Sequence, residues 1–122
     1  MTTTIHPLSD TYVRIMADHS APAIWDISGV AMEYNELPIS PDLIYELKEW
    51  VKYYNLHNED WKDEQDRKQD FDYIGFSFRG EELAKRVKAE LPEWTVEYFN
   101  EHYFKEFLCT DDFELDVQYE II

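Results

Sequence analysis

One stretch near the middle of the chain, residues 77–99, constrains the fold more than any other. Apolar residues between Leu83 and Leu91 recur on one face of a helix. Pro92 ends that helix, because proline lacks a backbone N–H and disfavours helical conformation in the residue before it. Residues 94–99 then alternate with the period of a strand. A helix that leads directly into a strand needs a sheet, which the rest of the chain must supply.

The helix that ends at Pro92 is predicted to begin near Asp70. Its first half carries one apolar stripe and a neighbouring second one: Phe71, Ile74 and Phe78, then Phe76 and Gly80. Gly80 lies one turn before Ala84 on the apolar face of the second half. Because glycine has no side chain, we expect another element to approach the helix closely there.

A second helix is predicted upstream, after residues 37–39. Ser40 is a good N-cap, Pro41 suits the first helical position, and Asp42 suits the positive end of the helix dipole. The apolar stripe that follows has helical spacing and comprises Leu43, Ile44, Leu47, Trp50, Val51 and Tyr54.

Strand patterns flank the two helices. We predict a first strand at residues 12–17, an irregular hairpin within 23–34, and a connection, part of it strand, at 101–108. Residues 113–121 alternate strictly between apolar and polar, which is typical of a strand with one buried and one wet face.

The predicted fold class is α+β, with two main helices packed on one face of a small, mainly antiparallel sheet. Residues 1–122 form a single domain, with a loose N-terminal tail at 1–11.

Charge limits the possible partners. The 122 residues include 27 acidic and 11 basic side chains, which gives a formal net charge of −16. Nucleic acid and anionic membranes both require a basic surface, so we expect neither as a partner. A basic protein fits better, although the charge could serve solubility alone. The N-terminus lacks a signal-peptide pattern and no apolar run is long enough to span a membrane, which predicts a cytoplasmic protein.

No catalytic or metal site can be assembled from the sequence. Cys109 is the only cysteine, and the four histidines are scattered: His6, His19, His57 and His102. The acidic run within 58–70 lacks the glycine of a calcium-binding loop. Nucleophile and nucleotide-binding motifs are absent as well. We therefore expect no cofactor, no metal and no enzymatic activity, although a pair of carboxylates among so many acids stays open.

Acidic residues are concentrated at the C-terminal end. From Glu90 to Ile122 there are ten acids and one base, Lys105. If the last two strands are neighbours, Glu97 and the later acids share the open face of the sheet. Like charges side by side on a sheet are destabilising, so such a row suits a partner that neutralises it. The alternative is that the acids protect an exposed edge strand from aggregation.

Several motifs resemble a widespread family of small bacterial proteins. They are VRIMAD at 13–18, AIWD at 23–26, LPISPDL at 37–43, GEELA at 80–84 and ELPEWTVEYF at 90–99. Members look similar to the immunity proteins encoded beside secreted toxins, including those of contact-dependent growth inhibition. The acidic tail from Glu101 onward departs from the family pattern.

The resemblance implies a protein that binds and neutralises a cognate toxin. The net charge and the C-terminal acids favour a basic toxin, such as a nuclease domain, and we expect a monomer or weak dimer. An acidic regulatory protein or DNA mimic is the alternative, and a carboxylate or metal-dependent enzyme is a third. We predict that the partner is contacted by the C-terminal acids and the tyrosines near them: Glu93, Glu97, Tyr98, Glu101, Tyr103, Asp111, Asp112, Glu114, Asp116, Tyr119 and Glu120.

Overall fold

The computed structural model describes residues 11–18, 22–57, 72–104 and 116–122. Four strands and two long helices lie within these ranges. In chain order they are β1 (Tyr12–Ile15), β2 (Ile24–Trp25), α1 (Pro41–His57), α2 (Tyr73–Glu90), β3 (Thr95–Phe99) and β4 (Gln118–Glu120). A 3-10 turn at Tyr34–Glu36 precedes α1, and a short helical turn at 101–104 follows β3.

The four strands form one sheet in the order β2-β1-β3-β4. The two outer pairings, β1 with β2 and β3 with β4, are antiparallel, whereas β1 and β3 run parallel in the middle. A parallel pair needs a long crossover connection, and the segment that contains α1 and α2 provides it. The predicted α+β class with a mainly antiparallel sheet is therefore confirmed.

The helices cover the sheet face on which the apolar residues of the central strands lie. Val13 and Ile15 of β1 are paired with Val96 and Tyr98 of β3, and all four side chains are fully buried. At the edge, Ile121 is buried whereas Gln118 and Glu120 are exposed. The predicted alternation of the last strand is thus confirmed for its described part.

Gly80 is the point at which α2 approaches both of its neighbours. A Cβ atom at this position would overlap the Trp50 ring of α1 and the Tyr98 hydroxyl of β3. Next to it, the Trp50 ring stacks on Phe76 at 4.6 Å between centroids, and its Nε1 donates to the Phe76 carbonyl at 3.1 Å. The close approach predicted at Gly80 is confirmed.

Both helix starts are capped by side chains. The Ser40 hydroxyl accepts a hydrogen bond from the Leu43 amide at 3.3 Å and donates to the Glu90 carboxylate at 2.7 Å. The cap of α1 is therefore tied to the last residue of α2. Asp72 caps α2 by accepting from the Gly75 amide at 2.9 Å.

Several local predictions require correction. Helix α2 begins at Tyr73 rather than near Asp70, and the Ile74–Phe78 stripe faces solvent, with 66% and 68% of those residues exposed. The neighbouring stripe of Phe76 and Gly80 faces the core instead, because Gly80 alone permits the close contact with α1.

In the connection predicted at 101–108, the described residues 101–104 form a helical turn and are not part of a strand. Asn100 starts this turn by accepting from the Tyr103 amide at 2.9 Å. In the predicted hairpin, strand β2 spans only Ile24–Trp25, and its return is a single bridge from Trp25 to Ala31. The tail at 1–10, Phe71, Cys109 and residues 105–108 lie outside the described residues.

Replacing Gly80 with alanine tests the closeness of this packing. The added methyl group has no space between two packed rings, so we expect Gly80→Ala to lower the free energy of unfolding by about 1–3 kcal/mol. Urea denaturation measures the change.

Gly75→Ala is the matched control. There the added atom would meet only the carboxylate of Asp72, whose displacement would weaken the cap of α2. We expect a net change of less than about 1 kcal/mol, because the higher helix propensity of alanine offsets the weakened cap. Equal losses in the two variants would contradict the proposed role of Gly80.

Candidate partner-binding surface

The sheet face opposite the helices carries a row of polar and aromatic side chains. The pairing register places Trp25, Arg14, Glu97 and Glu120 next to one another across β2, β1, β3 and β4. We call this row and its neighbours the open face, which comprises Tyr12, Arg14, Trp25, Glu97, Gln118 and Glu120. Glu97 and Glu120 are direct partners across two antiparallel strands, so the predicted sharing of one face holds for this pair.

Glu97 is the centre of the hydrogen bonds on the open face. Its Oε1 accepts from the Tyr12 hydroxyl at 2.6 Å and from Nε2 of Gln118 at 2.7 Å. Burial, aided by the bond to Glu97, raises the pKa of the Tyr12 phenol well above its ordinary value. The phenol therefore stays protonated and continues to donate at neutral pH. Glu97 is held in a fixed position beside the exposed carboxylate of Glu120.

Arg14 is the cation of the open face. Its guanidinium carbon lies 5.9 Å from the centre of the Trp25 ring, and its Nη1 donates to Oε1 of Gln118 at 3.4 Å. Its Nε is buried without a hydrogen-bond partner. Arg14 thus lies between an aromatic ring and an acidic pair, so the row has an acidic end at β3 and β4.

The other predicted contact residues fall into three groups. Glu93, Asp116 and Glu120 are exposed, and Tyr103 is 37% exposed. A second group lies inside the fold and is described below. Asp111, Asp112 and Glu114 lie outside the described residues.

Tyr98, Tyr119 and Glu101 lie on the helix side of the sheet or within the core. Tyr98 is fully buried and donates to the Ser77 carbonyl at 2.8 Å, and burial raises the pKa of its phenol. Glu101 is 7% exposed. Tyr119 is half-buried and donates to the Glu81 carboxylate of α2. In the free protein, Tyr98 and Glu101 are therefore buried and do not form part of the open face.

A second surface lies between the two helices, and the sequence analysis did not identify it. A groove of about 530 Å³ is lined by residues of α1 and α2 together with the N-cap Asp72: Tyr45, Glu46, Glu49, Trp50, Tyr53, Asp72, Gly75, Phe76 and Arg79. Tyr45 is 63% and Tyr53 45% exposed. Two large aromatic residues off the core stripe of an otherwise polar helix face were the signal that could have revealed it.

Glu46 closes one end of this groove with an ion pair to each of two arginines of α2, Arg79 and Arg86. The hydrogen bond from Arg86, with help from Arg79, holds the pKa of Glu46 below its usual value of 4.5. This cluster joins the outer surfaces of α1 and α2.

The described residues contain no group of three or more His, Cys, Asp or Glu side chains that could hold a metal ion. No helix among them has both the length and the apolar character needed to cross a bilayer.

The chain matches a known protein family. The family model described as Serratia CdiI immunity protein-like matches residues 11–101. This range runs from β1 through both helices and β3, while β4 and its exposed acids follow it. A search of curated proteins gave no match.

The ion pairs of Glu46 predict a specific pH dependence. A carboxylate whose pKa is lowered by folding stabilises the protein above its unfolded value, here 4.5, and loses that effect as the pH falls through the folded value. We therefore expect Glu46→Gln to be less stable than the wild type at pH 7, with a difference that shrinks below about pH 4.5. Urea denaturation between pH 3 and 7 measures it.

Glu49→Gln is the control for this experiment, since it removes a carboxylate from the same helix for which the described residues provide no ion-pair partner. We expect its difference from the wild type to change little over this pH range. A Glu46→Gln difference that stayed constant down to pH 3 would contradict the assigned role of the ion pairs.

Proposed function

Because the chain belongs to the Serratia CdiI immunity protein-like family, we propose that it binds a cognate bacterial toxin and neutralises it through an acidic surface. The toxin is a basic protein, and a nuclease domain fits best, since an enzyme that acts on nucleic acid needs a basic surface. The role is binding rather than catalysis. The protein acts in the cytoplasm as a monomer or weak dimer.

One observation carries this proposal, namely the direct pairing of Glu97 with Glu120 on the open face. Like charges opposite each other on neighbouring strands destabilise a sheet. Glu97 is fixed there by Tyr12 and Gln118, so it cannot easily turn away from Glu120. A basic side chain of a partner would neutralise the pair. The repulsion that destabilises the free protein would then be replaced by attraction in the complex.

Charge and aromatic side chains have different tasks in this proposal. The net charge of −16 accelerates encounter with a basic partner, while a few desolvated anchors supply most of the affinity. Tyr103, partly exposed on the turn after β3, is the proposed anchor. The exposed Glu93 and Asp116 are proposed as further contacts. Asp111, Asp112 and Glu114, which lie outside the described residues, complete the proposed set.

The DNA-mimic alternative is less well supported. A mimic needs carboxylates spaced like duplex phosphates over a long surface. Among the described residues, the open face instead offers a compact acidic pair bordered by Arg14 and Gln118.

Neutralising Glu120 separates a partner-binding role from protection of the edge strand. We expect Glu120→Gln to raise the free energy of unfolding by about 0.2–1 kcal/mol, because it relieves the repulsion with Glu97. The same change should slow association with the toxin by roughly two- to fivefold at low salt. Urea denaturation and stopped-flow or surface-plasmon kinetics measure the two effects. The binding partner for this test is the C-terminal domain of the large secreted protein that the proposal expects to be encoded immediately upstream.

Glu82→Gln is the matched control, since it removes one exposed carboxylate from α2, on the helical layer. It should change neither quantity appreciably, because the ion pair of Glu82 with Arg79 is exposed and 3.8 Å long. Association of the wild type should also slow as salt rises to about 0.5 M. A rate that is independent of salt, or an upstream domain that does not bind, would contradict the proposal.

A further inference from the structure

The groove between α1 and α2 combines exposed aromatic rings with carboxylates. Tyr45, Glu49 and Tyr53 follow one another at intervals of four residues, so they form one line along α1. The Tyr53 ring also stacks on Phe76 at 6.3 Å between centroids, with an angle of 18° between the planes. Phe76 in turn stacks on Trp50. The aromatic wall of the groove is thus supported by the core.

The carboxylates of the groove differ in how far they are already engaged. Glu46 is paired with Arg79 and Arg86. Oδ1 of Asp72 caps α2, which leaves its second oxygen available to another donor. Glu49 is exposed between the two tyrosines, and the described residues hold no cation paired with it. A positive charge that entered the groove would therefore meet Glu49 first.

We infer that this groove is a second contact with the toxin and receives an arginine side chain from it. The aliphatic stem and planar guanidinium of arginine would lie against Tyr45 and Tyr53, and the guanidinium would donate to Glu49. Arginine suits this setting because it stacks on aromatic rings and pairs with carboxylates at the same time. This inference rests on the proposed function. It adds a contact site on the helical layer, which lies on the other side of the sheet from the open face.

Charge complementarity favours this occupant over others. Among the described residues, three carboxylates and one guanidinium line the groove, and that guanidinium is already paired. An anionic ligand would be repelled. A purely apolar segment would bury Glu49 without a partner, which is costly. A basic side chain with an apolar stem satisfies both the rings and the carboxylate.

Variants of the groove test the inference against the same upstream toxin domain. We expect Tyr45→Ala and Glu49→Gln each to raise the Kd by roughly tenfold, mainly through faster dissociation. Tyr45→Phe keeps the ring and should bind like the wild type. Urea denaturation of Tyr45→Ala checks that its loss of binding does not reflect misfolding. Phe78→Ala is the matched control, because Phe78 is an equally exposed aromatic residue of α2 that does not line the groove.

The outcomes separate this inference from the proposed function. Losses in Tyr45→Ala and Glu49→Gln alone support the groove contact. If the wild type binds and Glu120→Gln slows association while the groove variants bind normally, the groove contact is overturned and the proposed function stands. An equal loss in Phe78→Ala overturns the groove as a specific site. A wild type that does not bind the domain overturns both.

Discussion

The contact of Gly80 with Trp50 and Tyr98 is the constraint on which the rest of the structure depends. Residues of α1, α2 and β3 meet there, and the helix backbone comes so close that a Cβ atom at position 80 would overlap the Trp50 ring and the Tyr98 hydroxyl. Because α2 comes this close, the Tyr98 hydroxyl reaches the Ser77 carbonyl and the Trp50 nitrogen reaches the Phe76 carbonyl. Both large polar aromatic residues can therefore be buried without leaving a donor unsatisfied.

The outward surfaces follow from that inner arrangement. Once Tyr98 faces the helices, the alternation of β3 sends Glu97 to the other side, next to Arg14 and Glu120. Once Trp50 and Phe76 stack in the core, Tyr53 extends the stack to the surface of α1. Both candidate contact surfaces thus belong to elements whose positions are fixed by the same core packing.

Much of the fold was predictable because its signals are local. The N-cap at Ser40, the stop at Pro92 and the glycine at position 80 each act through their own backbone, and the structure agrees with all three. The orientation of the Ile74–Phe78 stripe was not predictable, because two neighbouring stripes were equally apolar and only the contact with α1 chose between them. The parallel pairing of β1 with β3 also leaves no local trace in the sequence.

The candidate site was predictable only in part, for a related reason. The acidic row across Glu97 and Glu120 could be anticipated from alternation and charge. The burial of Glu101 could not, since it depends on the helical turn at 101–104 that returns the chain to the core. The groove could not be predicted, because residues of two helices line it and their relative position depends on tertiary packing.

The central parallel pair has a consequence for how the protein comes into being. Tyr12 and Glu97, which touch in the finished sheet, are 85 residues apart in the chain. Such distant pairing makes folding slow, because a large loop must close before the contact is rewarded. During synthesis, β1 leaves the ribosome long before β3 exists, so β1 lacks its central sheet neighbour until residues 95–99 have been made. The open face joins residues of all four strands, so it forms only after β3 and β4 have been made and have paired. Binding of a partner at this face therefore requires protein molecules that folded before the partner arrives.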